Sequence, residues 1–285
     1  MRAMFAAKGR PADHPVIVHL ADASQLRAWA AEVPPVAERL AAAFWPGPLT
    51  LVLRRSQRAS DLVTGGLETV GLRVPGHPVA QELLQQFGGG IAAPSANRFG
   101  RVSPTTAEHV LSELGGLVDL ILDGGPCAIG LESTIVDLSR GIPAVLRPGG
   151  ITAEQLAAVL GPLPISEAWD APRVSGSLES HYAPQARVEL VEPGRLAARA
   201  TELATQNLKV AVLSRGESLP TLPEGVIVIA LPNDDAGLAR TLYTALRRVD
   251  ELGCNVALAT LPIEKGIGAA VADRLKKAAG TRDVS

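Results

Sequence analysis

Four stretches rich in polar residues and glycine lie at the ends of predicted strands, and their side chains could bind a phosphorylated ligand. They are KGRPADHP (8–15), APSANRFGRVSPT (93–105), DGGPCAIGLESTIVD (123–137) and VLRPGG (145–150). Loops at strand ends are where α/β proteins commonly place ligands. In the first stretch, Lys8 supplies a point charge and Arg10 a planar fork of donors, a combination that suits adjacent phosphates.

The other stretches offer short hydroxyl and amide side chains, which ribose and phosphate oxygens require as partners. These side chains are Ser95, Asn97, Ser103 and Ser133. Each stretch alone is a weak signal, because a K-x-R-P sequence is usually a solvated turn and a Gly-Gly pair usually turns a corner. Their order along the chain and their flanking sequences give the set its weight.

Several other kinds of site are not supported by the sequence. FGGGIAAP lacks the lysine and the following helix of a P-loop, and GLESTI lacks the G-x-S-x-G of a hydrolase nucleophile elbow. The five histidines show no metal-ligand spacing. Cys127 and Cys254 form no C-x-x-C pair, which predicts two small buried residues in a reducing compartment. EKGIGAAVADRL (264–275) is predicted to be the entry into a helix.

The charge of the chain is balanced in both of its parts. Residues 1–165 carry 13 basic and 14 acidic side chains, and residues 188–285 carry 12 of each. Neither part has the basic surplus that would itself drive binding to a polyanion. Lys8 is the one lysine among those 13 basic residues. The apolar runs are too short to span a membrane, and the first residues lack a signal-peptide pattern.

Strands and helices alternate along the chain. The first part has predicted strands at 15–20, 49–54, 68–74, 90–94, 117–123, 133–138 and 144–148, and predicted helices at 24–33, 35–44, 78–87, 104–114 and 151–160. Ser103 is the predicted cap of the helix at 104–114. The second part has predicted strands at 187–191, 209–214, 225–231 and 255–260, and predicted helices at 195–206, 235–250 and 267–279. The pattern predicts an α/β protein with domains at 1–165 and 188–285, joined by a linker over 166–187 that is rich in Pro, Ser and Gly.

In this order, the motifs resemble those of the YrdC/SUA family of threonylcarbamoyl-AMP synthases in its longer, two-domain form. The matching sequences are KGRPADHPVIVH, FWPGPLTLVL, GLRVPGHP, APSANRFGRVSPT, DGGPCAIGLESTIVDL, LRPGG and HYAP. The resemblance covers most of residues 5–187 and, less specifically, 188–285. It implies a YrdC-like twisted mixed sheet of α+β type with flanking helices, followed by a small three-layer αβα Rossmann-like domain. The linker then resembles the segment that folds over the active site of the family.

The resemblance implies the condensation of L-threonine, bicarbonate and ATP to threonylcarbamoyl-AMP and pyrophosphate, with Mg²⁺ accompanying ATP. A carbamate formed from threonine and bicarbonate attacks the α-phosphate, and positive groups stabilise the charge that accumulates on phosphate oxygens. The partners implied are downstream threonylcarbamoyl-transferase proteins and, through them, tRNA. A cytoplasmic location without membrane contact is expected.

The resemblance also assigns site residues. The catalytic set of the family falls on Lys8, Arg10, Ser95 and Asn97. The ATP contacts fall on Arg10, His14, Thr69, Ser95, Ser103, Ser133, Arg147 and Tyr182. The threonine contacts fall on His19 and Arg73, of which Arg73 would hold the carboxylate.

Two other readings stay open at this point. A non-catalytic module that binds a double-stranded RNA or tRNA stem is disfavoured by the balanced charge and by the 3% of aromatic residues. A carbamoyl-transfer protein of hydrogenase maturation would need zinc-finger and acylphosphatase segments, which the sequence lacks. One departure from the family is the start at MRAMFAAKGRP, where the family carries a strand and a P-T-E-T-V-Y-G-L-type segment upstream. If the sequence is complete as printed, this departure gives the alternative expectation of a truncated homologue with weak or absent activity.

Overall fold

The computed structural model describes residues 1–161, 172–176, 182–216 and 221–280, which belong to two compact units. The first unit comprises Met1–Phe99, Val110–Gly125 and Glu132–Ser177, and the second comprises Gly100–His109, Pro126–Leu131 and Leu178–Ser285. Of the predicted linker, residues 166–171 and 177–181 lie outside the described residues. The linear domain boundaries at 165 and 188 stay a prediction.

The first unit is built on a mixed six-stranded sheet with the order β4-β1-β3-β2-β5-β6. Its strands are β1 (Val18–His19), β2 (Leu49–Arg54), β3 (Thr69–Arg73), β4 (Ile91–Ala92), β5 (Thr134–Asp137) and β6 (Ala144–Arg147). The pairs β1/β3 and β2/β5 are parallel, and the pairs β1/β4, β2/β3 and β5/β6 are antiparallel. The mixed α/β sheet expected from the sequence is therefore confirmed.

Seven helices accompany this sheet among the described residues, and the first part of α6 belongs to the second unit. They are α1 (Arg2–Lys8), α2 (Leu26–Trp29), which follows a 3₁₀ turn at Ala23–Gln25, α3 (Pro35–Phe44), α4 (Asp61–Thr64), α5 (Pro78–Phe87), α6 (Ala107–Leu114) and α7 (Ala153–Leu160). Helices α3 and α5 have the predicted bounds, because each begins at a proline, whose fixed φ suits the first helical position. Apolar side chains of α3 and α7 pack with those of β2 and β3 in one core.

The second unit contains a four-stranded sheet with the order β7-β10-β8-β9, in which every pair is parallel. Its elements are β7 (Arg187–Leu190), α8 (Leu196–Ala204), β8 (Val210–Ser214), β9 (Ile227–Ala230), α9 (Asp235–Glu251), β10 (Val256–Ala259) and α10 (Ile267–Ala279). Successive side chains of a strand point to opposite faces, so Val210 and Val212 pack with α8, and Ala211 and Leu213 pack with α9 and α10. Helices therefore cover both faces, and the predicted three-layer αβα arrangement is confirmed.

The strand predicted at 117–123 is wrong. Residues 117–123 are described and form no strand, and three of their leucines are half to three-quarters exposed: Leu117 at 50%, Leu120 at 75% and Leu122 at 54%. The apolar run LVDLILD has the composition of a buried strand. Composition does not supply a neighbouring strand, and without one an apolar run forms no ladder.

Ser103 does not cap a helix. Helix α6 begins at Ala107, and the Thr106 hydroxyl accepts a hydrogen bond from the backbone N–H of His109 at 3.4 Å. A cap hydroxyl satisfies an N–H that has no partner inside the helix, and Thr106 serves this purpose three residues after Ser103. The prediction for cysteines is also half wrong, because Cys127 is exposed and only Cys254 is buried.

Helix α7 has a complete capping box, which yields a prediction for stability. The Thr152 hydroxyl accepts from the Gln155 N–H at 3.2 Å, and the Gln155 side chain accepts from the Thr152 N–H at 2.9 Å. Thr152→Ala is expected to destabilise the first unit by about 1 kcal/mol, because one helix N–H loses its partner. Thr152→Ser keeps the hydroxyl and is the control. Thermal unfolding that is the same for the parent chain and Thr152→Ala would contradict this expectation.

None of the helices formed by the described residues combines the length and apolarity that crossing a bilayer requires.

Candidate active site

The parallel pairing of β1 and β3 brings His19 and Arg73 together. The two residues are register partners at the carboxyl ends of their strands. The Arg73 Nε donates a hydrogen bond to the carbonyl oxygen of Gly47 at 3.0 Å, which fixes the start of the guanidinium. Burial and the positive charge of Arg73 lower the pKa of His19 to about 4. A neutral imidazole therefore lies beside a guanidinium at this edge of the sheet near pH 7.

Lys8 is held at the end of α1 by a Schellman motif. The N–H of Gly9 donates to the carbonyl of Ala6 at 3.2 Å, and the N–H of Arg10 donates to the carbonyl of Phe5 at 3.0 Å. Gly9 has φ 63°, a left-handed conformation that glycine adopts without a Cβ penalty. This turn ends the helix and places Lys8 and Arg10 on either side of one glycine.

The Lys8 side chain binds the loop that contains Ser95 and Asn97. Its Nζ donates to the carbonyl oxygen of Ser95 at 2.5 Å and to that of Asn97. The backbone N–H of Phe99 donates in return to the carbonyl of Lys8 at 2.9 Å. Burial, and secondly the charge of Arg10, lower the pKa of Lys8 to about 8. The structure thus brings together three of the four predicted catalytic residues, with Arg10 two positions from Lys8.

Arg10 and His14 share one aromatic side chain. The guanidinium carbon of Arg10 lies 5.4 Å from the ring centroid of Phe99, and the His14 ring meets the same ring edge-on at 5.2 Å and 77°. The Arg10 Nη2 also donates to the carbonyl of Pro15 at 2.8 Å. Burial, and secondly the positive charge of Arg10, lower the pKa of His14.

Arg147 and Ser133 form a buried network with Thr50. The guanidinium of Arg147 donates to the Ser133 carbonyl from Nε at 3.2 Å and from Nη2 at 2.8 Å, and Nη2 also reaches the Ser133 hydroxyl at 3.2 Å. The Ser133 hydroxyl lies 2.8 Å from the Thr50 hydroxyl. Thr69 and Thr50 line a small cavity of about 20 Å³ on the same sheet. Thr69 and Arg147 therefore lie on β3 and β6, and Ser133 lies directly before β5.

Residues 172–176, the described part of the predicted linker within the first unit, lie against this sheet. Val174 packs with Val52 and Ile135. The Ser175 hydroxyl donates to the Pro15 carbonyl at 3.1 Å, and the Ser175 carbonyl accepts from Arg147 Nη1 at 2.7 Å. The segment thus contacts β2, β5, β6 and the loop that follows Arg10.

Ser103 and Tyr182 belong to the second unit. Tyr182 has φ 61°, and its ring is stacked on Tyr243 at 5.8 Å with the Arg274 guanidinium 5.0 Å from the centroid. The Ser103 carbonyl accepts from Arg247 Nε at 3.4 Å. The contacts described for both residues lie in their own unit, and their assignment to ATP binding stays a prediction.

Comparisons with known proteins agree with this fold along the whole chain. The family model Sua5_yciO_yrdC, described as "Telomere recombination", matches residues 1–149, and the model described as "Threonylcarbamoyl-AMP synthase, C-terminal domain" matches residues 151–280. A threonylcarbamoyl-AMP synthase of Pyrococcus abyssi is 41% identical over 293 residues, covering 99% of this chain and 85% of that protein. The chain belongs to the threonylcarbamoyl-AMP synthase family.

Further relatives support the membership. The threonylcarbamoyl-AMP synthase of Bacillus subtilis is 41% identical over 290 residues, covering 99% of this chain and 84% of that protein. A crystal structure of P. abyssi Sua5 complexed with L-threonine is similar with a TM-score of 0.91 and 40% identity, covering 98% of this chain and 84% of that chain. The two-domain family form expected from the sequence is confirmed.

Two side chains that contact the proposed site residues were not predicted from the sequence. Phe99 contacts both Arg10 and His14, and Thr50 contacts Ser133. Phe99 is an aromatic residue two positions after Asn97 in a polar loop, and such a residue indicates a contact with neighbouring site residues. Thr50 gave no signal, because a threonine in LTLVLR is typical of any strand.

Proposed function

We propose that the chain is a threonylcarbamoyl-AMP synthase, which condenses L-threonine, bicarbonate and ATP to threonylcarbamoyl-AMP and pyrophosphate. The observation that carries the proposal is the 41% identity to the P. abyssi synthase over 99% of this chain. The product would serve threonylcarbamoyladenosine modification of tRNA, after transfer by downstream proteins. A cytoplasmic location is expected from that role.

Threonine is proposed to bind at the ends of β1 and β3. The Arg73 guanidinium would pair with the threonine carboxylate, and the hydrogen bond from its Nε to the Gly47 carbonyl would orient it. The neutral His19 imidazole would take a hydrogen bond from the substrate or donate one to it without adding charge. The L-threonine complex of the similar Sua5 structure supports an amino-acid site in this fold.

ATP is proposed to bind along Lys8, Arg10, Ser95 and Asn97, with further contacts from His14, Thr69, Ser133 and Arg147. A carbamate oxygen of N-carboxythreonine would attack the α-phosphorus, and the bond to the bridging oxygen would break, so that pyrophosphate leaves with the electron pair. Lys8 and Arg10 would stabilise the charge on the phosphate oxygens throughout. No side-chain nucleophile is required.

Mg²⁺ belongs to the proposal as a companion of ATP. Among the described residues, no three His, Cys, Asp or Glu side chains cluster to hold a metal ion. Mg²⁺ usually keeps several waters and is bound through substrate phosphates with one or two carboxylates, so the phosphates of ATP would supply most of its protein-independent ligands here. The ion would supply charge neutralisation at the pyrophosphate.

The proposal is tested by pyrophosphate release from the purified chain. Release is expected only when ATP, L-threonine and bicarbonate are all present, and mass spectrometry should detect threonylcarbamoyl-AMP. Serine in place of threonine is the control for substrate choice. Pyrophosphate release that does not depend on threonine would contradict the proposal. A salt-dependent complex with tRNA without any ATP turnover would favour an RNA-binding module instead.

A further inference from the structure

We infer that Thr50 is a positioning residue for the proposed reaction: it orients the Ser133 hydroxyl, so that the pair donates one hydrogen bond to an anionic substrate oxygen. The inference rests on the proposed function and deepens it. It rests on the buried hydroxyls of Thr50 and Ser133, which together have more hydrogens to donate than their mutual hydrogen bond uses.

The two hydroxyls are brought together by the sheet. Thr50 is the second residue of β2, Ser133 directly precedes β5, and the parallel register pairs Leu49 with Thr134. The side chains are almost fully enclosed, with Thr50 0% and Ser133 1% exposed. Their oxygens are 2.8 Å apart, the usual length of an O–H···O bond.

Arg147 decides how the hydrogens of the pair are shared. A guanidinium only donates, so the Ser133 oxygen accepts from Arg147 Nη2 at 3.2 Å. The pair has two hydroxyl hydrogens, and one of them lies in the mutual bond. Among the described residues, neither hydroxyl has a further partner. With Thr50 as the donor inside the pair, the Ser133 O–H remains to donate elsewhere.

Thr50 also lines a cavity together with Thr69 and Gly71. The cavity of about 20 Å³ has room for one water-sized group. A buried O–H is costly without an acceptor, and an anionic oxygen makes the strongest hydrogen bond with it. The carboxylate or carbamate of threonine and the phosphate of ATP share this chemistry.

Replacement of Thr50 by valine tests the inference, because valine keeps the shape and removes the hydroxyl. Thr50→Val is expected to lower kcat/KM by about 10- to 100-fold for the substrate whose oxygen is bound, as for one lost hydrogen bond to a charged group. Varying L-threonine, bicarbonate and ATP separately shows which substrate that is. Thr50→Ser keeps the hydroxyl and is expected within about 3-fold of the parent chain. Thr64→Val, at another buried threonine of the same unit, is the control for loss of a buried hydroxyl alone.

A double-mutant cycle with Ser133→Ala separates positioning from packing. If Thr50 acts through Ser133, adding Thr50→Val to Ser133→Ala costs no further activity. Additive losses, a Thr50→Ser variant as impaired as Thr50→Val, or unchanged kinetics in Thr50→Val would each overturn the inference. None of these three outcomes affects pyrophosphate release by the parent chain, so the proposed function would still stand.

If the parent chain releases no pyrophosphate, the proposed function fails and calorimetric titration with ATP and L-threonine decides the inference separately. Weaker binding of either ligand to Thr50→Val than to the parent chain supports it. Equal binding to both chains, or no binding to the parent chain, overturns it.

Discussion

Replacement of Lys8 by methionine is expected to lower kcat/KM for ATP by about 10²- to 10³-fold in the pyrophosphate assay. The ammonium is buried, and the carbonyls of Ser95 and Asn97 hold it in place. A charge fixed before the substrate arrives needs no reorganisation when negative charge develops, and burial makes it more effective than a solvated charge. Methionine is similar in length and removes that charge.

The pH dependence gives the same prediction a second readout. The pKa of Lys8 is lowered from 10.5 to about 8, so its charge is present below pH 8 and is lost as the pH rises through that value. A plot of log(kcat/KM) against pH reports the pKa values of the free enzyme. It is therefore expected to bend near pH 8 and to fall at higher pH. This limb should be absent in Lys8→Met.

Lys265→Met, at an exposed lysine of the second unit, is the matched control and is expected to keep both the rate and the alkaline limb. Thermal unfolding checks that Lys8→Met is folded. A folded Lys8→Met variant with parental kinetics, or one that retains the limb near pH 8, would show that Lys8 is not the phosphate-binding charge.

The sequence predicted the elements best where local chemistry and tertiary structure agree. Helix α10 begins and ends at the predicted residues, and β2 does so as well. Both segments have strong hydrophobic periodicity, and both are flanked by residues that typically begin or end such an element. The apolar run at 117–123 has the same periodic quality and forms no strand, because pairing depends on a neighbour that composition cannot specify. The error at Ser103 has a local cause. Ser103 and Thr106 are both suitable N-cap residues, and only the structure shows that Thr106 accepts the helix N–H.

The candidate site could be predicted in its residue types and not in its contacts. Lys8 stood out as the one lysine of an arginine-rich part, and the structure gives it two backbone carbonyl partners that no side-chain motif could reveal. His19 and Arg73 are 54 positions apart, and the parallel register of β1 and β3 makes them neighbours. Long-range pairing of this kind is absent from any local pattern, which is also why Thr50 escaped notice beside Ser133.

Replacement of Arg73 by methionine is expected to raise KM for L-threonine by about 100-fold, with a smaller effect on KM for ATP. The expected size corresponds to the loss of a charge-assisted pair with the substrate carboxylate, about 1.5–3 kcal/mol. Arg73→Lys is expected to recover only part of the affinity, because an ammonium cannot form the two parallel bonds of a guanidinium. Arg54→Met removes an exposed arginine from the neighbouring strand and should leave KM for threonine unchanged.

His19 reports on the same substitution independently of turnover. The positive charge of Arg73 is the second cause of the lowered pKa of His19, after burial, so its removal should raise that pKa from about 4 toward 6.5 without restoring it fully. The imidazole resonances in an NMR titration of the parent chain and Arg73→Met would show this shift. An unchanged His19 pKa would mean that the two side chains do not interact as the register of β1 and β3 requires. A shifted pKa with an unchanged KM would keep that geometry and remove Arg73 from threonine binding.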